Sequence, residues 1–303
     1  MSGISTNRTN ISLPGDISAE IIQKTQEESA VMSLARPIAL PGRGLTIPMI
    51  TSDPEASWVA ETDSKPVSNP GLSQKVMKGY KLVVIEPFSD EFARDYKALY
   101  DELVKRLPGA LAKKFDATVF AGTAPGSGFD VLTACSAQSI DVNASGQGGF
   151  YKALVAADLD IATHGGDLNG FAFAPQGRGE MLSALDKDGR PIFINNVAEG
   201  AVPRLLGQPV VYSRGLYKAG NAASGSAVPA KPDLLGVAGD WTKAMYGTVE
   251  GVTIDITNQA TLTIGTGAVN LWQRNMFAVK AEIEVGFVAD TDCFNRIVRT
   301  HTA

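Results

Sequence analysis

Few side chains in this sequence have the type and spacing that chemistry needs. His164 and His301 lie far apart. His164 opens the Gly-rich turn His164-Gly165-Gly166-Asp167, where one imidazole could ligate a metal but is more simply a loop residue. Asp186-Lys187-Asp188-Gly189 carries a fragment of a calcium loop without the remaining ligands or the distal Glu, and its composition is that of a β-turn. Gly122–Gly128 (GTAPGSG) has the glycines of a phosphate cradle, yet it follows a helical pattern and no Lys-Ser/Thr pair closes it. The carboxylate pairs Asp158/Asp160 and Asp290/Asp292 have no sequence neighbour that would raise a pKa and read as solvated. Cys135 and Cys293 fit no metal spacing and read as reduced thiols. No HExxH occurs, no GxSxG surrounds a serine, and Trp58, Trp241 and Trp272 form no base-stacking array. The sequence predicts no catalytic residue, no cofactor and no metal.

Composition narrows the classes further. At 303 residues and 44% apolar, the chain can bury a large core in one or two domains. Its mean hydropathy is +0.02. No apolar run approaches the roughly 18 residues of a membrane span. The first residues, MSGISTNRTNISLPGD, lack the apolar core of a secretion signal. Net charge is −5 with no Lys/Arg cluster, which argues against a tight or sequence-specific grip on nucleic acid.

The elements that must position any site are clearer. Ser18–Ala35 places Ile21, Ile22, Val31 and Leu34 among charged residues behind the caps Asp16 and Ser18, which predicts a helix. Pro37 and Pro41-Gly42 stop it, and Leu45–Ile50 reads as a short strand. Next comes a polar hairpin, SWVAETDSKPVSNPGLSQKVMKGY (57–80), with no apolar face of its own. An isolated ribbon of this kind is at best marginally stable in water, so it must lie on something else. An apolar strand leads from it to Ser89, which can cap a helix with Phe88 outside and Asp90 and Glu91 in the first turn. Phe92, Tyr96, Leu99, Leu103 and Leu107 then recur at helical spacing, and Leu111, Phe115 and Val119 resume the period after Pro108. One long kinked helix over about 89–121 is predicted, ended by the Gly-rich loop.

Residues 129–240 read as a mixed α/β unit. Helices are expected at 153–161 and 180–185, strands at 170–174 and 209–212, and a surface loop at 218–232. Beyond it the period changes to two. Val252, Ile254 and Ile256 alternate with polar residues, as do Leu262 and Ile264, and then Val279, Ala281, Ile283, Val285 and Phe287. An antiparallel sheet packed on the long helix is the economical arrangement.

Taken in order, the arm helix, the WVAE hairpin, EPFSDEF (86–92), the long helix and the Gly-rich break resemble the major capsid proteins of tailed bacteriophages. The likeness continues through LLGQPVVYSRGL (205–216), GVAGDWTKAMYG (236–247) and NMFAVKAEIEVGFVADTDCF (275–294). It implies the α+β fold named after phage Hong Kong 97. Residues 1–46 would then be an N-terminal arm and 47–87 the extended E-loop. Residues 88–126 and 241–288 would form a P-domain with its spine helix on an antiparallel sheet, and 127–240 with 289–303 an A-domain.

The implied function is structural: hexamers and pentamers of one chain closing into an icosahedral shell around double-stranded DNA. Such a protein would belong to the virion and assemble in the host cytoplasm. It would partner itself, a portal, a separate scaffold or decoration protein, and packaged DNA without sequence-specific binding, but no membrane. Met1 stands directly before the arm, so no fused scaffold is expected. Lys65, Lys75 and Lys78 could crosslink to a neighbour, but that bond is not predicted. The interface candidates are Trp58, Glu61, Lys65, Pro66, Asn69 and Lys75 in the E-loop and Ile21 and Ile22 in the arm. An encapsulin-like bacterial compartment is the alternative, with an α/β ligand-binding protein or enzyme the more distant one. Removal of residues 59–78 is expected to leave a folded subunit that forms no shells.

Overall fold

A computed structural model of the chain describes residues 29–50, 56–61, 64–68, 71–89, 96–142, 149–185, 189–193, 204–222, 229–249, 251–264 and 267–301. In chain order, a short helix α1 (Ala30–Leu34) precedes strands β1 (Arg36–Ala39), β2 (Leu45–Ile50), β3 (Leu72–Met77) and β4 (Tyr80–Ser89). The long helix α2 (Tyr96–Ala121) follows, then β5 (Ser136–Ser139), α3 (Phe150–Thr163), β6 (Gly170–Phe173) and α4 (Pro175–Ser183). The strands that follow are β7 (Arg204–Leu205), β8 (Gln208–Tyr212), β9 (Asp233–Gly239), β10 (Ala244–Thr248), β11 (Thr253–Thr257), β12 (Thr261–Ile264), β13 (Gly267–Asn270), β14 (Met276–Ala289) and β15 (Phe294–Arg299), with short 3-10 turns at Trp241–Lys243, Trp272–Arg274 and Thr291–Cys293.

Period-two alternation makes β14 the axis of the first sheet. Val279, Ala281, Ile283, Val285 and Phe287 are buried, while Lys280, Glu282 and Glu284 face partly outward. One edge of β14 pairs antiparallel with all of β4, from Met276↔Ser89 to Val285↔Tyr80. The other edge pairs with β11 and then β10, and β1 adds a parallel strand outside β10. The dry face receives α2: Leu107 and Leu111 meet Phe277, Val279, Ala281 and Ile283 in one cluster. Helix on sheet is thus the arrangement that the two periodicities demanded. The helix runs unbroken through Pro108, whose missing N–H removes one bond of the ladder.

The second sheet has the order β5-β15-β9-β6-β8-β7. Helix α3 covers it with Phe150, Ala153, Leu154, Ala157 and Ile161, a stripe at helical spacing. A larger cluster joins the two sheets, running from Phe115, Val119 and Phe120 of α2 to Trp241, Phe287 and Phe294. Phe120 and Phe294 both meet Trp241 edge-on, at centroid distances of 6.2 and 5.2 Å.

Several boundaries differ from expectation for physical reasons. Ser89 is the last residue of β4, and 90–95, where the helix was expected to begin, lie outside the described residues. The helix expected at 180–185 starts at Pro175, whose fixed φ suits a first turn, and ends at Ser183. The expected arm helix is described only as α1, since 1–28 lie outside the described residues. Leu45–Ile50 is one arm of the ribbon itself, paired with β3 from Leu45↔Met77 to Ile50↔Leu72. That pairing gives the ribbon an apolar root: Ile47 and Met77 are buried with Leu40 and Val288. Removing 59–78 would therefore cut into the core, and a clean deletion must stay in the tip.

A charge placed in the α2–β14 contact would be buried among apolar side chains. Ile283→Lys and Leu111→Asp are each expected to cost about 3 kcal/mol or more and to abolish the cooperative thermal transition followed by circular dichroism.

Candidate assembly surface

The ribbon carries most of the surface residues singled out in the sequence. Trp58 is fully exposed, at 105% of its reference area, and Val67 is 85% exposed. Glu61, Lys65 and Pro66 are exposed as well. Lys75 is different. Its Nζ donates to Asp130 Oδ2 at 3.1 Å and to the carbonyl of Ala289 at 2.7 Å, within its own chain. Asn69, Ile21 and Ile22 lie outside the described residues. Trp58, Glu61, Lys65 and Pro66 thus lie in the stretch between β2 and β3, while Lys75 belongs to β3 and is tied to the body.

At the root, polar contacts fix the ribbon to the body. Asp130 Oδ2 also accepts from the Ala289 N–H at 3.2 Å, so one carboxylate ties Lys75 to the end of β14. The Lys78 N–H donates to the Gly128 carbonyl at 2.9 Å. Gly128 has φ +80, and a Cβ there would stand 2.7 Å from the Val76 carbonyl oxygen, so glycine alone permits this approach.

A second polar junction lies inside the molecule. Asp116, on α2, is fully buried and has no cation beside it among the described residues. Its carboxylate accepts from Ser29 Oγ at 2.6 Å, the Ala30 N–H at 2.9 Å, the Val31 N–H at 3.3 Å and Ser213 Oγ at 2.5 Å. Three segments meet there: the start of α1, the long helix, and the loop after β8. Burial pushes the Asp116 carboxyl up, and the four hydrogen bonds only partly pull it back. The sequence held a trace of this, since Asp116 lies between Ala112 and Phe120 at spacings of four on a dry helix face.

Groups with chemical potential elsewhere are engaged structurally. His301 Nδ1 lies 2.7 Å from Asp233 Oδ1, and Arg299 holds the other oxygen and Glu180. Burial would raise Asp233, but bonds from the Gly220 N–H, His301 and Arg299 outweigh it and hold the carboxyl below its usual range. His164 Nδ1 faces the Asp160 carbonyl at 2.8 Å. Cys135 and Cys293 are free and buried. Burial pushes the Cys135 thiol up to about 12. Among the described residues, no group of three or more His, Cys, Asp or Glu is placed to hold a metal ion, and no helix is long and apolar enough to cross a membrane.

Comparison with known proteins gives one answer throughout. A sequence model of the phage capsid family matches residues 10–290. The probable major capsid protein gp17 of Mycobacterium phage L5 is 29% identical over 286 residues, 90% of this chain and 85% of its own. The major capsid protein of Staphylococcus phage 80alpha is 26% identical over 296 residues, 94% and 84% of the two chains. Among solved structures, a chain of Mycobacterium phage Bobi superposes with a TM-score of 0.71 at 18% identity, covering 100% of this chain and 96% of that one. A capsid chain of an empty GTA particle gives 0.61 at 13% identity, covering 99% and 95%.

Asp116 supplies a test independent of assembly. Asp116→Ala strands two hydroxyls and two buried N–H groups, and should cost about 2–4 kcal/mol in chemical denaturation. Since the folded carboxyl binds its proton more tightly than the unfolded one, its contribution is complete below the unfolded value of 3.8 and is lost as pH rises through the folded value. The stability of the native chain relative to Asp116→Asn should therefore be greater near pH 4 than near pH 7 in paired thermal melts.

Proposed function

The chain belongs to the phage capsid family, and from that premise we propose that it is a major capsid protein whose copies close into an icosahedral shell of hexamers and pentamers around double-stranded DNA. As a structural shell protein it works through surfaces rather than a reaction, and no enzymatic role is assigned. The observation that carries the assembly reading is Trp58: with Val67 it puts large apolar side chains wholly in water on a projecting ribbon, a surface that gains by being covered by another molecule.

The parts are assigned accordingly. Residues 1–46 act as the arm and 47–87 as the E-loop. Residues 88–126 and 241–288 form the P-domain, and 127–240 with 289–303 the A-domain. The E-loop tip, with Trp58, Glu61, Lys65, Pro66 and Asn69, and the arm, with Ile21 and Ile22, reach neighbouring copies. Lys75 serves the same contact indirectly by holding the ribbon at a set angle. Each contact is worth little once ordering is deducted, but closure makes later contacts effectively intramolecular, so the whole far outlasts any pair. The protein is then a component of the virion, assembled in the host cytoplasm with a portal and a separate scaffold or decoration protein. The net charge of −5 suits a wall that must not trap the polymer it encloses. The named relatives are phage capsid proteins, so an encapsulin-like compartment is not favoured.

Replacing the tip, residues 56–68, with a short Gly-Ser turn leaves Ile47, Lys75 and Met77 in place. The expected product keeps a native-like circular dichroism spectrum and melts cooperatively, but shows no shells in negative-stain images. Normal particles from this variant would refute the role given to the ribbon.

A further inference from the structure

The cleft beside the ribbon's root has an aromatic lining that suits the exposed indole at the ribbon's tip. About 260 Å³ in volume, it lies between the start of β4, helix α2 and the Gly-rich loop. Tyr80, Leu82, Phe115 and Phe129 form its apolar wall, with Lys114 and Thr118 on the rim. The aromatics are already set edge to face: Tyr80 meets Phe129 at 6.2 Å and 74°, and Phe115 meets Phe129 at 6.4 Å and 88°. Tyr80 is fixed by its hydroxyl, which donates to the Ser127 carbonyl at 2.8 Å. The loop lies flat against the ring because residue 126 is glycine; a Cβ there would stand 2.3 Å from the Tyr80 oxygen.

Elsewhere in the same molecule stands an indole with nothing against it. Trp58 is wholly exposed, and Glu61 stands three residues beyond it. Lys114, on the rim of the cleft, is exposed and makes no ion pair among the described residues. Tip and cleft are thus complementary in kind: an aromatic ring with an adjacent anion, and an aromatic cavity with an adjacent cation. A lysine at the mouth of such a cavity also adds attraction to an indole face.

Geometry decides whose tip enters. β2 and β3 stay paired over six residue pairs, Leu45↔Met77 to Ile50↔Leu72, so the ribbon holds its tip about 20 Å from its root at roughly 3.3 Å per residue. The cleft begins at Tyr80, three residues beyond the root end of β3. In its own chain Trp58 is wholly exposed and stands outside the cleft, so indole and cleft are both left for other copies. We propose that Trp58 of one copy seats in the Tyr80–Phe115–Phe129 cleft of the next copy, with its Glu61 against Lys114. The contact is head-to-tail: every copy offers one tip and one cleft, so the interaction repeats and ends only when a ring closes.

This seat rests on the reading of the chain as a shell protein, and the experiment separates the two. Thr118, half-buried on the rim, and Trp58 are replaced together by cysteine in the full chain, and particles are assembled and then oxidised. Non-reducing gels should show a ladder of covalent multimers from the double variant and none from Trp58→Cys or Thr118→Cys alone, because the native thiols are buried. Independently, Trp58→Ala should fold normally by circular dichroism and raise the concentration at which particles appear by about tenfold or more. Particles of the double variant that yield no ladder, together with unchanged assembly of Trp58→Ala, would overturn the seat while leaving the shell reading intact. A native chain that remains single under all assembly conditions would overturn both.

Discussion

The fold depends on one strand that must be dry along one face for most of its length. β14 supplies that face to α2, its two edges to β4, β10 and β11, and its far end to the cluster shared with the second sheet. Burying alternate residues of a long strand against a long helix is the largest favourable term available to a chain of this composition. Everything that reaches outward is attached to this pair. The ribbon leaves from the head of β4, which β14 holds, and Ala289 at the end of β14 binds both Lys75 and Asp130.

Around that apolar axis, a few buried polar groups set angles that packing alone would leave loose. Asp116 joins α1, α2 and the loop after β8 with hydrogen bonds from four donors and, among the described residues, no countercharge. A carboxylate so placed tolerates little displacement, because losing any donor leaves a buried charge poorly satisfied. Lys75 does the same for the ribbon from a more solvated position, where an ion pair alone is weak but a simultaneous bond to a carbonyl fixes direction. Packing supplies the stability of the subunit and these bonds its shape, which is what a repeating lattice needs from its parts.

Sequence periodicity exposed the axis and hid the joints. Leu107, Leu111, Phe115 and Val119 on one side, and Val279 to Phe287 on the other, announced a helix and a strand, and their packing followed because neither could stay dry alone. The ribbon's independence was legible too, in the polar run that includes Trp58. Its first arm was misplaced, because β2 and β3 are separated by a long tip and pairing across such a gap leaves no local signal. Lys75 reads in the sequence as an interface residue and Asp116 carries no signal of its own; their partners lie 55 and 86 residues away, beyond any window that reads period or propensity. The order of motifs recovered the family where no single motif could.

Cys135 has a further consequence for a particle that must persist in the open. Its sulfur is packed among apolar side chains and keeps its proton until about pH 12. Near neutrality its thiolate, the form that reacts with peroxide or a disulfide, is scarce. An oxidising medium around the particle therefore finds little here to attack.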